Sequence, residues 1–435
     1  MHKNLDINVH HLTRVEGHGN IVVNMKNGKL EKAELDIVEA PRFFEAMLKG
    51  RNFKEVAIIT SRICGICSLG HQITSLKATE AALGLEVSEQ TKILRRILID
   101  GATFQSNVLH ALFLAAPDFL NVGSVFQVVS SHKDVVLAAL RLKRLANDIG
   151  DVLSGRAIHP IRCVPGGFTM LPTEEQLRKI MDDLKGQGMQ DLKFITGVLA
   201  SLAGEIPQFE RETEYISLKD ANEYAFYDGD IFSSDTGARP VEDYLDVTNE
   251  FVVPHSTSKH ARYNRSSYMV GALARFNNNH EQLHPVARDV MKELGLSAPC
   301  YNPYMNTVAQ MVEVAHCIEN SIMLIDQLLT DGIKQEKPAD HPTRYGRGVG
   351  ATEVPRGILF HEYTYNRQGN IESANCIIPT GQNLENIDDD MKKLVPEILS
   401  ESKEAITHKL EMLVRAYDPC ISCSVHMLDV SFIEE

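Results

Sequence analysis

From residue 19 to 39 the chain alternates apolar and polar positions, with GNIVVNM and LEKAELDIV flanking Lys26-Asn27-Gly28-Lys29. A period of two marks strands with one buried face, and Asn-Gly supplies the backbone freedom of a tight hairpin turn. From 72 to 150 the spacing changes to three and four, which predicts mostly helix. The loop HPIRCVPGGF (159–168) breaks this pattern, and it resumes in TEEQLRKIMDDL, where Thr173 and Glu175 suit a helix start. Residues 213 to 255 are rich in Tyr, Asp and Gly and predict short strands, and helix returns from about 305 to 333. GILFHEYTY and ESANCIIP around Arg367-Gln368-Gly369-Asn370 predict a second hairpin, and one long helix from about 385 to 416 leads into DPCISC. Neither repeats nor linkers interrupt the pattern. It predicts a single α+β unit over residues 1–435, helix-dominated, with hairpins at its margins.

Composition narrows the function classes. With 43% apolar and 23% charged residues, the chain can bury a sizeable core. A formal net charge of −14 argues against nucleic acid, because phosphate binding needs clustered Lys and Arg. The start, MHKNLDINVHH, lacks the apolar run of a signal peptide, so a cytoplasmic location is expected. The best membrane candidate, 108–120, is shorter than the roughly 20 residues needed and contains His110, Pro117 and Asp118, so no span is expected. Eight cysteines in such a chain read as reduced thiols. Cys163, Cys300, Cys317 and Cys376 are scattered and read as small buried side chains.

The other four form two CxxC pairs, Cys64/Cys67 and Cys420/Cys423, near opposite ends of the chain. Each pair can offer one metal two thiolates from a single turn, and two pairs supply four soft ligands suited to zinc, iron or nickel. A zinc ribbon usually keeps its pairs within a few tens of residues. Here nearly the whole chain lies between them. Spacing alone therefore leaves structural zinc open and favours iron–sulfur or another metal.

The flanks SRICGICSLGH and RAYDPCISCSVH together resemble the paired cysteine motifs of nickel–iron hydrogenase large subunits. The resemblance extends through LTRVEGHGN, QSNVLHALFLAAPD, GRAIHPIRCVPGGF, YMVGALARFN, AQMVEVAHCIE, EVPRGILFHEY and NCIIPTGQN, in order along the chain. The form of YMVGALARFN is most similar to the soluble cytoplasmic class serving nicotinamide, deazaflavin or heterodisulfide-reducing complexes. The implied fold is the helix-dominated large-subunit fold. The implied activity is reversible cleavage of dihydrogen, with electrons passing to an iron–sulfur small subunit. Further flavin or heterodisulfide-reductase-type subunits and a maturation protease are the other implied partners.

The resemblance also implies roles. Cys64 and Cys420 would be terminal nickel ligands, and Cys67 and Cys423 would bridge nickel to an iron carrying cyanide and carbon monoxide. Arg356 would set a fixed cation beside a cyanide and above the open side of nickel. The preceding Val354 departs from the usual alanine of that motif. Pro379 and Thr380 would line the cyanide pocket and Leu359 the carbon monoxide pocket. A terminal thiolate, Cys420, would take the proton, and Glu16 would relay it. Magnesium, or iron, would bind Glu45, the carbonyl of Cys376 and His426. His71 would hydrogen-bond behind the cysteines, Asp118 would anchor Arg356 or a neighbour, and Gln310, Glu313, His316 and Glu319 would form a buried polar network. Relatives are often cut after the histidine matching His426, whereas this chain continues with MLDVSFIEE (427–435), a candidate extension removed on maturation. Two alternatives are a non-catalytic complex I-like scaffold, which lacks the four cysteines, and a structural zinc protein.

Overall fold

The computed structural model describes residues 4–339 and 341–426; the tail 427–435, and with it the expected extension, lies outside the described residues. Strands Gly19–Lys26 and Lys29–Ile37 pair antiparallel around Asn27 and Gly28, whose φ angles of 52° and 78° are those of a primed hairpin turn. Strand Leu5–Val9 completes this sheet. The second expected hairpin, Gly357–Tyr365 with Ile371–Ile377, carries a further strand, Arg347–Val354, that periodicity did not single out. The Val354–Gly357 pair closes this added hairpin, so Pro355 and Arg356 form its tip.

This three-stranded sheet lies directly on helix Ser68–Leu83. A β-carbon at Gly348 would meet the Ala82 nitrogen at 2.2 Å, and one at Gly350 the Thr74 oxygen at 2.5 Å. Only glycine allows that approach, and it fixes the Arg356 tip relative to the helix that begins just after Cys67. The region 213–255 contains the expected short strands, Glu214–Lys219, Asp230–Ser233, Gly237–Arg239 and Asn249–Phe251.

The helical core centres on Glu89–Leu109, which packs against Asn306–Asp331 and Lys133–Ser154. Two stretches, 89–119 and 303–331, are long and apolar enough to pass a membrane test, but 72% and 67% of their apolar windows are buried inside the protein. They are core helices.

Residues 72–150 are mostly helical as expected, in several segments, whereas the helix expected near the C-terminal end needs correction. Residues 72–150 break at Gly84, which caps Ser68–Leu83 in the left-handed conformation, and again near 120–124; a π-helical segment, His110–Ala115, lies between. The expected single helix from 385 to 416 is two helices, Pro379–Glu397 and Lys403–Ala416. Ser402 starts the second by accepting from the Ala405 amide at 3.2 Å. The start at Thr173 is as expected, with Glu175 in the first turn and Gln176 completing the capping box.

Candidate metal centre

The first CxxC pair occupies the turn between helices Phe53–Thr60 and Ser68–Leu83, and the second lies just beyond Lys403–Ala416. The fold brings these ends together. Glu16 and Cys420 form a parallel β-bridge, and the Ile421 amide donates to the Glu16 carbonyl at 2.9 Å. At Gly17 (φ +88°), a β-carbon would meet Ile421 at 2.7 Å and the Ser422 nitrogen at 2.9 Å, so glycine alone permits this approach. Arg42 joins the two cysteine turns, donating to the Ile63 carbonyl at 2.7 Å and the Ser422 carbonyl at 3.3 Å.

Cys64, Cys67, Cys420 and Cys423 share one buried cluster with Leu359, Cys376 and Val354. Cys64 Sγ lies 3.5 Å from Cys420 Sγ, which is 2.9 Å from Cys423 Sγ. The sulfurs of Cys64, Cys420 and Cys423 all lie within 4.8 Å of one another. Sulfurs bound to one metal at about 2.3 Å are separated by roughly 3–4 Å, so this soft donor set fits a thiophilic metal. The Ile66 and Cys67 amides point at Cys64 Sγ from 3.2 and 3.4 Å. Contacts with Cys420, Cys423 and Cys67 drive the Cys64 thiol far below its ordinary pKa, while Cys420 is driven up by its contacts with Cys423, Cys64 and Cys67.

Arg356 is buried above these sulfurs and reaches Cys67 Sγ with Nη1 at 3.3 Å. Its Nε donates to the Asp418 carbonyl at 2.7 Å and its Nη2 to Asp418 Oδ1 at 2.6 Å. Burial alone would lower its pKa, but Asp418 and the neighbouring sulfurs outweigh that and hold it charged. Asp418 therefore anchors Arg356. Asp118, expected to anchor Arg356 or a neighbour, does not reach Arg356 and holds Arg415 (2.7 and 2.8 Å) and Arg14.

Behind the Arg356 tip, Arg275 is fully buried and binds Glu313 and Glu353 while donating to the carbonyls of Val354 and Pro355 at 2.9 Å. Arg275, Glu353 and Asp418 stood inside the quoted motifs without an assigned role. Asp418 alone carried a local signal, its place two residues before Cys420. The expected polar network is realised in part: Gln310 and Glu313 share Asn107 and reach His110, Asp418 and Tyr224, whereas His316 and the half-buried Glu319 accept separately from the His284 and Val286 amides.

Glu16 Oε2 lies 3.2 Å from Cys420 Sγ and accepts from the Ser422 amide at 3.1 Å. Thr380 Oγ1 accepts from the Cys420 amide at 3.0 Å, leaving its own O–H to donate elsewhere. Pro379 and Thr380 open helix Pro379–Glu397, buried beside the second pair, and Leu359 is fully buried with the cysteines.

A second cluster lies next to the first. His426 Nδ1 and Glu45 Oε1 are 2.6 Å apart, yet both Glu45 oxygens and His426 Nδ1 are buried without a hydrogen bond. Buried polar atoms left unpaired are costly, and a divalent cation between a carboxylate and an imidazole would satisfy all three. Cys376 sits opposite His361 in the sheet nearby. His361 Nε2 contacts His71 Nδ1 at 3.1 Å, and burial pushes both imidazoles down, His71 to about 4, so both are neutral at pH 7. His71 thus hydrogen-bonds His361 behind the first cysteine pair.

The sequence profile of the nickel-dependent hydrogenases matches residues 42–137 and 180–426, and a HoxL-like profile matches 6–40. The chain is 34% identical to the alpha chain of sulfhydrogenase 1 from Pyrococcus furiosus over 98% of both chains. It is 32% identical to a chain of the vhu F420-non-reducing hydrogenase from Methanocaldococcus jannaschii, covering 86% of this chain and 94% of that one. Its fold superimposes on an NAD+-reducing [NiFe]-hydrogenase chain, crystallised in the H2-reduced state, with a TM-score of 0.86 at 25% identity over 97% of this chain and 99% of that one. With three buried sulfurs from its two ends drawn into one soft donor set and Cys67 buried beside them, the chain belongs to the nickel-dependent hydrogenase family as a catalytic large subunit.

Proposed function

We propose that Cys64, Cys67, Cys420 and Cys423 would together hold a nickel–iron centre, and that the chain cleaves dihydrogen heterolytically and reversibly. The observation carrying this reading is the convergence of four buried thiols beneath a buried, charge-paired arginine. A centre held by these thiolates would supply redox-active Lewis-acid chemistry toward dihydrogen. This chain's own residues supply position, charge and a proton path. Arg356, held at two atoms by Asp418, is a fixed cation over the sulfurs. The Cys420 thiol donates toward Glu16 Oε2, so a proton released at that sulfur has an acceptor already aligned.

Thr380, with its unspent O–H, and Pro379 suit a cyanide on iron, and the apolar Leu359 suits carbon monoxide. Glu45, His426 and the Cys376 carbonyl suit magnesium or iron, supported by the unpaired atoms of the first two. An iron–sulfur small subunit would take the electrons, and flavin or heterodisulfide-reductase-type subunits would follow in a cytoplasmic complex, consistent with the NAD+-reducing and F420-non-reducing relatives. A maturation protease would cut after His426. The apolar core that runs from Leu5 to Val425 supports treating the chain as one domain.

Elemental analysis of the purified complex is expected to give nickel and active-site iron near one each per chain, with infrared bands of bound cyanide and carbon monoxide. Zinc alone, without those bands, would overturn the reading. Arg356→Lys keeps the charge but cannot span both Asp418 contacts. Hydrogen-dependent dye reduction should fall about 100- to 1,000-fold, with nickel and the infrared bands retained. A wild-type rate would remove Arg356 from the mechanism.

A further inference from the structure

Away from the cysteines, His255, His260 and Asp388 bring three ligand atoms within 4.8 Å of one another. They come from separate parts of the chain: a loop, the strand His260–Arg262, and helix Pro379–Glu397. Strand Lys29–Ile37 walls the cluster, since the Leu35 amide donates to Asp388 Oδ1 at 2.9 Å and leaves Oδ2 turned toward His255.

His260 is the decisive residue. It is fully buried, and its Nδ1 lies 2.8 Å from Glu385 Oε2, one helical turn from Asp388. That carboxylate fixes Nδ1 as the protonated nitrogen and leaves Nε2 with the lone pair. Nε2 has no hydrogen-bond partner although it is buried. A histidine kept only for packing would turn its second nitrogen to a carbonyl or hydroxyl, because an unpaired buried acceptor costs about 1–3 kcal/mol. A carboxylate behind an imidazole whose far nitrogen is free is the arrangement that orients metal-binding histidines. His255 Nε2 and Asp388 Oδ2 lie 3.0 Å apart, close to the roughly 3.3 Å edge of a tetrahedron with 2.0–2.1 Å bonds. His255 keeps 16% of its side chain accessible, leaving a route for the ion and a solvent ligand.

We infer that His255, His260 and Asp388 form a further metal site for a borderline divalent ion of the zinc class, with Glu385 orienting His260. Two imidazoles and one carboxylate favour zinc over magnesium or calcium, which prefer all-oxygen shells. The ion would clamp helix Pro379–Glu397 to the 254–260 loop. That loop also carries Ser258, which donates to the Ser424 carbonyl at 2.9 Å and so steadies the segment after the second cysteine pair. The inference does not depend on the identity of the metal held by the cysteines.

The test uses the assembled holoenzyme, freed of loose metal with a chelator and titrated with zinc(II), then with cobalt(II) as a coloured substitute. The wild type should take up one added equivalent and show cobalt bands of a nitrogen–oxygen site without thiolate charge transfer. Glu385→Gln should weaken binding about 10- to 100-fold, and His260→Gln should abolish the added equivalent, with nickel content unchanged in both. Zinc should raise the unfolding temperature of the wild type but not of His260→Gln, which distinguishes site loss from misfolding. Absence of the added equivalent in the wild type would overturn the site, and so would undiminished binding by folded His260→Gln.

Discussion

Cys423→Ser is expected to leave the chain without nickel and without hydrogen turnover, whereas Cys300→Ser leaves both at the wild-type level. Cys423 and Cys300 are both free cysteines, and only their surroundings separate them. Cys423 Sγ lies 2.9 Å from Cys420 Sγ inside the four-thiol cluster, while Cys300 is partly exposed and its sulfur reaches the Asn302 carbonyl at 4.0 Å. A four-ligand metal site stores about 10–16 kcal/mol at neutral pH, or roughly 2.5–4 kcal/mol per ligand. Removing one thiolate therefore weakens the metal by about 100- to 1,000-fold. A serine hydroxyl stays protonated at neutral pH and cannot replace the thiolate. Elemental analysis of the two variants, with thermal unfolding to show that each is folded, checks the contrast. Full nickel in folded Cys423→Ser would remove that sulfur from the site.

The features legible in the sequence are those with a local cause. Asn27-Gly28 announces its turn because few other pairs accept two positive φ angles. The CxxC pairs announce a metal because two thiolates one turn apart serve little else so well. What escaped the sequence depends on distant partners. Strand Arg347–Val354 is buried on both faces and shows no alternation, so only its pairing with Gly357–Tyr365 identifies it. The break at 398–402 was hidden because Leu394, Val395, Ile398, Ile406 and Leu410 all face the core, and the apolar spacing continues across the gap. Asp418 and Asp118 each lie near cysteine or proline motifs and differ only in which guanidinium the fold brings to them. Arg275 makes its ion pairs with residues 38 and 78 positions away. The expected roles of Glu45 and His426 rested on resemblance, and their unpaired atoms now give those roles a physical argument.

Glu16→Gln isolates the proton from everything else at the site. The glutamate is held at both ends by the segment it serves: its carbonyl accepts from Ile421, and its Oε2 accepts from Ser422 while facing Cys420 Sγ. Glutamine has the same length and can keep the Ser422 bond through its own oxygen, so position and packing survive. It cannot take a proton from a thiol and release it outward. Loss of a positioned acid–base group costs about 100- to 10,000-fold. Hydrogen oxidation and proton reduction should both fall within that range, because a relay through Glu16 would carry the same proton in either direction. Nickel content and the infrared bands should be unchanged. Glu16→Asp restores the carboxylate but withdraws it by one methylene from Cys420, and should recover part of the rate. Glutamine turnover equal to wild type would mean that the proton leaves Cys420 by another path. A loss that aspartate does not partly rescue would make Glu16 a structural tie between the first strands and the second cysteine pair.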